Sequence, residues 1–264
     1  MSEAARLLAA YDDQLRTDAE AAGALAVRVL GPLRLVTFAQ GRGFVTYRDL
    51  GGADAAAIDE LVGQARAHFA ADPTTTEVEW KTRAHDLAPG LTESLARHGF
   101  VAEETESIMI GEAASLAVDV PLPEGVTIRQ VSTAADVRAM CAMSARAFGD
   151  PPSDGEAIAV DLVGRLSAGD DLELWVAEAD GAMVSAGRLE PVPGTEFAGI
   201  WGGSTLPAWR RHGIYRALTS ARARSALRRG RTLIHSDSTE YSRPILERYG
   251  FVRVSTTTPY VWRP

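Results

Sequence analysis

The sequence predicts an α/β (α+β) fold in two domains, and three observations point there. Segments of helical and of strand periodicity alternate along the whole chain. A small, acidic, proline-marked stretch, GEAASLAVDVPLPEGV at 111–126, interrupts them near the middle with the composition of a linker, which predicts a boundary near residue 120. After it the same order of elements returns, and the two halves hold similar helix-to-strand junctions, LARHGFVAEETESIMI and LERYGFVRVSTTTPYVW. A chain of 264 residues is long enough for two cores of ordinary size.

In the first half, Leu7, Leu8, Tyr11 and Leu15 recur at helical spacing and predict an amphipathic helix from residue 2 to about 20. ALAVRVLGPLRLVTFAQGRGFVTYRDL alternates apolar and polar residues and is broken at Gly31-Pro32 and Gly41-Arg42-Gly43, giving three short antiparallel strands. Ile58, Leu61, Val62, Ala65 and Phe69 form one face of a helix capped by Asp54. A strand at 77–81, a helix holding Leu91 and Leu95, and a strand in HGFVAEETESIMI follow.

The second half opens with a strand at 126–131, a helix with Val137, Met140, Cys141, Ser144 and Phe148 on one face, and another around Ile158, Leu162 and Leu166. LELWVAEADGAMVSAGRLEPV is a hairpin turning at Asp180-Gly181. A strand at 197–205 leads into a helix from Ile214 to about Arg229. A strand at 232–236, a helix capped by Ser242 with Pro244 in its first turn, and two end strands in YGFVRVSTTTPYVW close the chain. Gly99 and Gly250 are expected to stop their helices in a left-handed conformation, with Phe100 and Phe251 entering the cores.

Composition narrows the function. With 46% hydrophobic and 23% charged residues, the chain is neither disordered nor fibrous. The N-terminus shows no basic segment followed by an apolar core and no long apolar span occurs, so a cytoplasmic protein without a membrane segment is expected. The single cysteine, Cys141, lies in an apolar helical stripe and reads as a core residue. A formal net charge of −8 argues against a nucleic-acid partner, yet arginines cluster from Arg210 to Arg231, which suits a small anionic ligand. The run RARSALRRGR at 222–231 is expected to be a solvated helix face. No metal site is expected.

The most informative stretch is LPAWRRHGIYRAL at 206–218. Arg210, Arg211, His212 and Arg216 surround Gly213 where a strand gives way to a helix. A helix start exposes free N–H groups at its positive end, a glycine lets a phosphate approach the backbone, and arginine matches phosphate oxygens. The spacings of a nucleotide P-loop and of a dinucleotide-binding turn are absent.

This stretch resembles the coenzyme A pyrophosphate loop of the Gcn5-related N-acetyltransferases, the GNAT family: Arg or Gln, two residues, Gly, one residue, then Gly or Ala. SRPILERYGF resembles the family's last helix and the Gly-Phe after it. The element order of 122–264 is similar to the whole GNAT fold, and residues 2–110 resemble a second, eroded copy. The resemblance implies two GNAT-like domains, each a mixed, mostly antiparallel central sheet flanked by helices. Residues 1–115 would be a degenerate copy without an acyl-CoA site, and 122–264 the N-acetyltransferase domain. The implied cosubstrate is acetyl-CoA, and the partner a primary amine of a small molecule or peptide, with the protein a monomer or homodimer.

Carried over by position, Arg210, Arg211, His212, Gly213, Ile214, Tyr215 and Arg216 would wrap the pyrophosphate. Gly203, Ser204 and Thr205 would bond the pantetheine chain through their backbones, with an N–H near Thr205 facing the thioester carbonyl as charge grows there. Three positions depart from the family. Tyr215 stands in place of Gly or Ala, Leu246 in place of the tyrosine that often protonates the thiolate, and Gly199 in place of a glutamate base.

Attack requires an unprotonated amine, so a base is sought. Tyr241, His235, Asp237 and Glu196 are the candidates, with Glu190 beside them. In the first half, YRDLGGADAAAIDEL places Asp49, Asp54, Asp59 and Glu60 where phosphates would arrive, and like charges repel. A non-catalytic acyl-CoA sensor is the alternative, consistent with the missing acid and base.

Overall fold

Side-chain caps open three main helices where the sequence places them. Ser2 accepts from Ala5 N at the start of α1 (Glu3–Gln14), Asp54 from Ala56 N and Ala57 N at α2 (Ala55–Ala70), and Thr133 from Asp136 N at α5 (Ala134–Phe148). The structure, a computed structural model, describes residues 1–264. The chain folds into two units: 1–109 with 237–245 and 252–264, and 110–236 with 246–251. The dividing line therefore departs from the expected 1–115 and 122–264, because a C-terminal strand belongs to the first unit.

In that first unit β1 (Ala26–Leu30), β2 (Leu33–Thr37) and β3 (Arg42–Thr46) run antiparallel in turn. After α2, β4 (Glu77–Arg83) returns parallel to β3. A short helix α3 (Leu91–Arg97) and strand β5 (Val101–Ala102) follow, and β6 (Glu106–Glu112) carries the chain out of the unit. The expected single strand in HGFVAEETESIMI is thus two pieces. The last strand, β12 (Val252–Trp262), pairs antiparallel with β4, Thr257 opposite Arg83 through Trp262 opposite Val78, and with β5. It is one strand, not the expected two, and Pro259 lies inside it opposite Lys81.

One face of this sheet packs Leu33, Leu35, Val45, Trp80 and Trp262 against Ile58, Val62 and Phe69 of α2. At ~25 cal/mol per Å² of apolar area, each such side chain contributes about 1.5–3 kcal/mol. The first helix ends at Gln14 rather than near 20, because Thr17 caps a separate turn over Asp18–Ala21.

The second unit repeats the plan. β7 (Val126–Val131), β8 (Glu173–Ala179), β9 (Ala182–Pro191) and β10 (Phe197–Thr205) are antiparallel neighbours, and β11 (Leu233–Ser238) returns parallel to β10 after α7 (Ile214–Arg228). The recurrence of antiparallel pairs, a helix and a parallel return supports the internal repeat. Asp180 and Gly181 turn the hairpin with φ 50° and 77°. Gly99 and Gly250 take φ 85° and 98°, and Phe100 and Phe251 are buried.

Helices α5 and α6 (Pro152–Ala168) cover one face of the sheet through Met140, Cys141 and Leu162 against Leu174, Val176 and Ala186. Helix α7 covers the other through Ile214 and Leu218 against Ala177 and Val184. Helix α8 (Arg243–Arg248) follows Ser242.

The stretch expected to be a linker is held down. It forms α4 (Ala113–Leu116) and then runs beside α7, where Ser220 Oγ donates to the Val118 carbonyl and Arg224 pairs with Asp119. The arginine run is likewise not a solvated face throughout: Arg222 is 1% exposed, and Arg229 binds Glu173 and Asp171.

Candidate active site

Strand β10 loses regular pairing on both sides, first with β11 and two residues later with β9. Its parallel register with β11 covers only Phe197–Leu233, Ala198–Ile234 and Gly199–His235. Its register with β9 jumps from Trp201–Arg188 to Ser204–Ala186, so Gly202 and Gly203 together face Gly187. Gly202 has φ 61°, a conformation glycine adopts without strain. This bulge leaves backbone N–H and C=O groups of Gly202 and Gly203 outside regular pairing with β9, three residues past the last β10–β11 pair.

The two sheet faces differ at this gap. On the α7 face, a Cβ at Gly203 would lie 2.6 Å from Tyr215 Cε2, so glycine is what admits the ring there. Tyr249 packs against that ring at 6.2 Å, and Arg216 stacks over Tyr249 at 5.5 Å. Two turns along α7, the Arg222 guanidinium sits under Gly187, where a Cβ would meet Nη1 at 2.5 Å. Arg222 donates to the carbonyls of Leu218 and Arg188 and to Thr219 Oγ1. Burial holds its pKa below the usual arginine value, with the nearby Tyr215 hydroxyl acting the other way.

On the α5–α6 face, the Trp201 ring lies along Gly199, where a Cβ would meet Nε1 at 2.5 Å. Its edge-to-face partner is His235 at 5.3 Å, and His235 also meets Phe197 at 5.8 Å. Ser204 Oγ bonds Ser144 Oγ at 2.9 Å, tying the strand end to α5.

Beyond Thr205 the loop is pinned by Arg210, whose Nε donates to the Thr205 carbonyl at 3.0 Å and Nη2 to the Ala147 carbonyl at 2.9 Å. Arg210 therefore shapes the loop. Ile214 is buried in the core, so its side chain does not face the loop's surface. Arg211, at φ 67°, His212 and Arg216 are exposed around the helix start. Gly213, at φ 79°, opens α7 with no side-chain cap, so the first N–H groups of the helix have no side-chain acceptor. An uncapped helix start ringed by cations suits a diphosphate.

The first unit shows the same parting, closed. Its register between β3 and β4 ends at Val45–Trp80. Past it, Arg16 from the end of α1 donates twice to the Tyr47 carbonyl, at 3.3 and 3.1 Å, and pairs with Asp86 at 2.7 Å. Arg83 bonds Thr46 and Glu20. The start of α2 is already bound by the carboxylate of Asp54, at 3.1 and 2.9 Å from two N–H groups. The corresponding place in the first unit is thus occupied by side chains of the unit itself.

The four residues proposed for proton transfer are not brought together. His235 stands at the parting. Glu196 is exposed at the opposite end of β10 from Thr205, and its carbonyl accepts from Thr232 N and Leu233 N. Glu190 is gripped by both Nη groups of Arg165, at 3.3 and 3.0 Å. Asp237 belongs to the first unit, where it pairs with Lys81 at 2.7 Å. Tyr241, in the same unit, is 87% exposed. Leu246 is buried and carries no proton. Burial pushes the Cys141 thiol up to about 11, so it remains a neutral core group.

Trp201 and Arg188 were not singled out by sequence. The only signal was the spacing Gly199-Ile200-Trp201, which puts a large ring over a glycine on one strand face. No cluster of His, Cys, Asp and Glu fit to hold a metal ion is present, and no helix is long and apolar enough to cross a membrane.

The comparisons with known proteins fit this geometry. Residues 122–236 match the family model "Acetyltransferase (GNAT) domain". A GCN5-related N-acetyltransferase from Kribbella flavida is similar in structure over 100% of this chain and 96% of its own, at 20% identity and TM-score 0.68. A conserved protein of unknown function from Staphylococcus epidermidis covers 94% of this chain and 97% of its own, at 14% identity and TM-score 0.70. A tandem GNAT protein from the clavulanic acid biosynthesis pathway covers 89% and 79%, at 17% identity and TM-score 0.61. None of the curated proteins matches the sequence.

Proposed function

We propose that the chain, whose residues 122–236 match the acetyltransferase (GNAT) domain model, transfers an acetyl group from acetyl-CoA to a primary amine of a small molecule or peptide. The observation that carries this reading is the uncapped start of α7 at Gly213, with Arg211, His212 and Arg216 around it and the unpaired backbone of Gly202–Gly203 one loop away. The helix N–H groups and cations receive the pyrophosphate, and the bulge offers backbone groups to the pantetheine and the thioester oxygen.

In the reaction the unprotonated amine attacks the thioester carbonyl. The C–N bond forms, the C–S bond breaks, and the thiolate departs with the electron pair. The attacking nitrogen gives up its extra proton to water, and the thiolate, whose conjugate acid has a pKa near that of an ordinary thiol, about 8.5, leaves without a dedicated donor and takes a proton back from water, so the proton count closes. Orientation of the two reactants in the gap supplies the main acceleration. The first unit, its parting closed by Arg16 and Arg83, takes no acyl-CoA in this reading.

The test is calorimetric titration of acetyl-CoA into Gly213→Ala and Gly213→Glu. Both variants place a side chain at φ 79°, at a backbone cost of about 1–2 kcal/mol. Only Glu adds negative charge, and no atom lies closer than 3.7 Å to the Cβ position. Glu is expected to weaken binding at least tenfold beyond Ala, about 1.4 kcal/mol. Equal affinities would overturn the loop assignment, and tight binding without turnover of any amine would point to the sensor.

A further inference from the structure

The α5–α6 face of the parting holds a guanidinium without a full set of partners. Arg188 lies directly across from Trp201 and on the same face as Ala186, Ser204 and Leu174, which pack toward α5 and α6. Its side chain is 25% exposed, so most of it is out of water. Its one ionic contact is Nε to Glu190 at 3.3 Å, outside hydrogen-bonding geometry. That carboxylate is already held by both Nη groups of Arg165. The Nη1 and Nη2 groups of Arg188 donate to nothing in the protein. Only its Nε is fully buried, so the Nη fork opens to solvent on this face without a protein acceptor, and a bidentate carboxylate is the group that matches such a fork best. Burial outweighs the nearby carboxylates of Glu190 and Asp161 and lowers its pKa, in keeping with an unmet demand for an anion.

Position gives the demand its meaning. The diphosphate loop opens on α7, whose side chains pack the opposite face. The gap between β10 and β11 begins at Gly199–His235, so a thioester reaching it from the α7 side is open to attack from the α5–α6 side. There Trp201 and His235 form an aromatic wall, and Arg188 stands one strand away. We propose that this face is the acceptor site and that Arg188 binds a carboxylate of the acceptor, which makes the substrate an amine that also carries a carboxylate, as amino acids and peptide C-termini do. Trp201 covers the apolar part of that acceptor, and the amine points into the gap. This assignment rests on the acetyltransferase reading above and names its substrate class.

The test uses the full-length protein and a panel of α- and ω-amino acids, each paired with its own carboxamide, read by free-thiol release and by thermal shift. The parent is expected to favour the acids at least tenfold in kcat/KM and to be stabilised by acids and not by amides. Arg188→Met should raise KM for the acids at least tenfold and erase the preference, with KM for acetyl-CoA unchanged as the control for folding. Arg188→Lys, which keeps the charge and loses the fork, should restore part of it. The proposal is overturned if acids and amides perform alike in the parent, or if Arg188→Met keeps the preference. Failure of acetyl-CoA to bind would sink the transferase reading instead, and the thermal shifts with acids and amides would still decide whether Arg188 binds carboxylates.

Discussion

Adding one methyl group at Gly203 should drive Tyr215 out of its seat. The new Cβ would lie 2.6 Å from Cε2, 3.2 Å from Cζ and 3.0 Å from the hydroxyl oxygen. Carbon atoms in contact sit about 3.5–4.0 Å apart, so the ring must retreat by roughly 1 Å. Tyr249 packs against it, and the hydroxyl end lies toward buried Arg222, which leaves little slack. Overpacking of this kind costs about 1–3 kcal/mol. Urea unfolding of Gly203→Ala should therefore show a lower midpoint at unchanged slope. Tyr215→Ala removes the obstacle. In that background the same methyl group should cost less than about 0.5 kcal/mol, giving a coupling energy of at least 1 kcal/mol in the double-mutant cycle. If Gly203→Ala costs the same with and without the tyrosine ring, the ring does not occupy the space beneath the bulge, and the account of the α7 face is wrong.

Two further outcomes follow from the first unit. Burial and then Asp237 raise the Glu106 carboxyl to about 6, so the folded state holds that proton more tightly than the unfolded chain does; the resulting stability is full below pH 4.5 and is lost as pH rises through 6. Glu106→Gln should accordingly be more stable than the parent at pH 7 and indistinguishable from it at pH 4, and a gap that is constant across that range would refute the assignment. Lys81→Met strands Asp237 without its ammonium and should cost about 3–5 kcal/mol in thermal or urea unfolding, whereas Lys81→Met with Asp237→Leu should recover most of the loss; no recovery in the double variant would mean that the pair is not a closed unit.

Local chemistry was legible in the sequence because it depends on neighbours a few residues away. The caps at Asp54 and Gly250, the Asp180-Gly181 turn and the start of α7 at Ile214 follow from side chains that act on their own turn. The conformation of the 206–213 loop, with Gly213 at φ 79° opening α7, was legible for the same reason. What escaped was set by partners far along the chain. Pro259 looks like a strand end until β4 and β5 are found on either side of β12. Glu196 looked near the site because it borders β10, but a strand rises about 3.3 Å per residue, and Glu196 precedes a nine-residue strand whose far end is Thr205. Arg16 could not be seen as a plug, nor Arg222 as a buried cation, because arginine at helical spacing on a polar face ordinarily lies in water.

The place of β12 has a consequence for how the protein is made. The first unit lacks one of its strands until residues beyond Val252 leave the ribosome, about 140 residues after Met109. At ~5–20 residues per second that interval is about 7–30 s. Throughout it, β4 offers an open edge with Val78 and Trp80 uncovered on the side where Tyr260 and Trp262 later lie. Vectorial synthesis thus delivers the second unit's loop and helix before the first unit can close. A stop codon after Phe251 would leave the second unit's residues all present and injure the first. The two halves, though separate in their cores, cannot be cut apart at the acidic stretch and expected to fold as independent gene products.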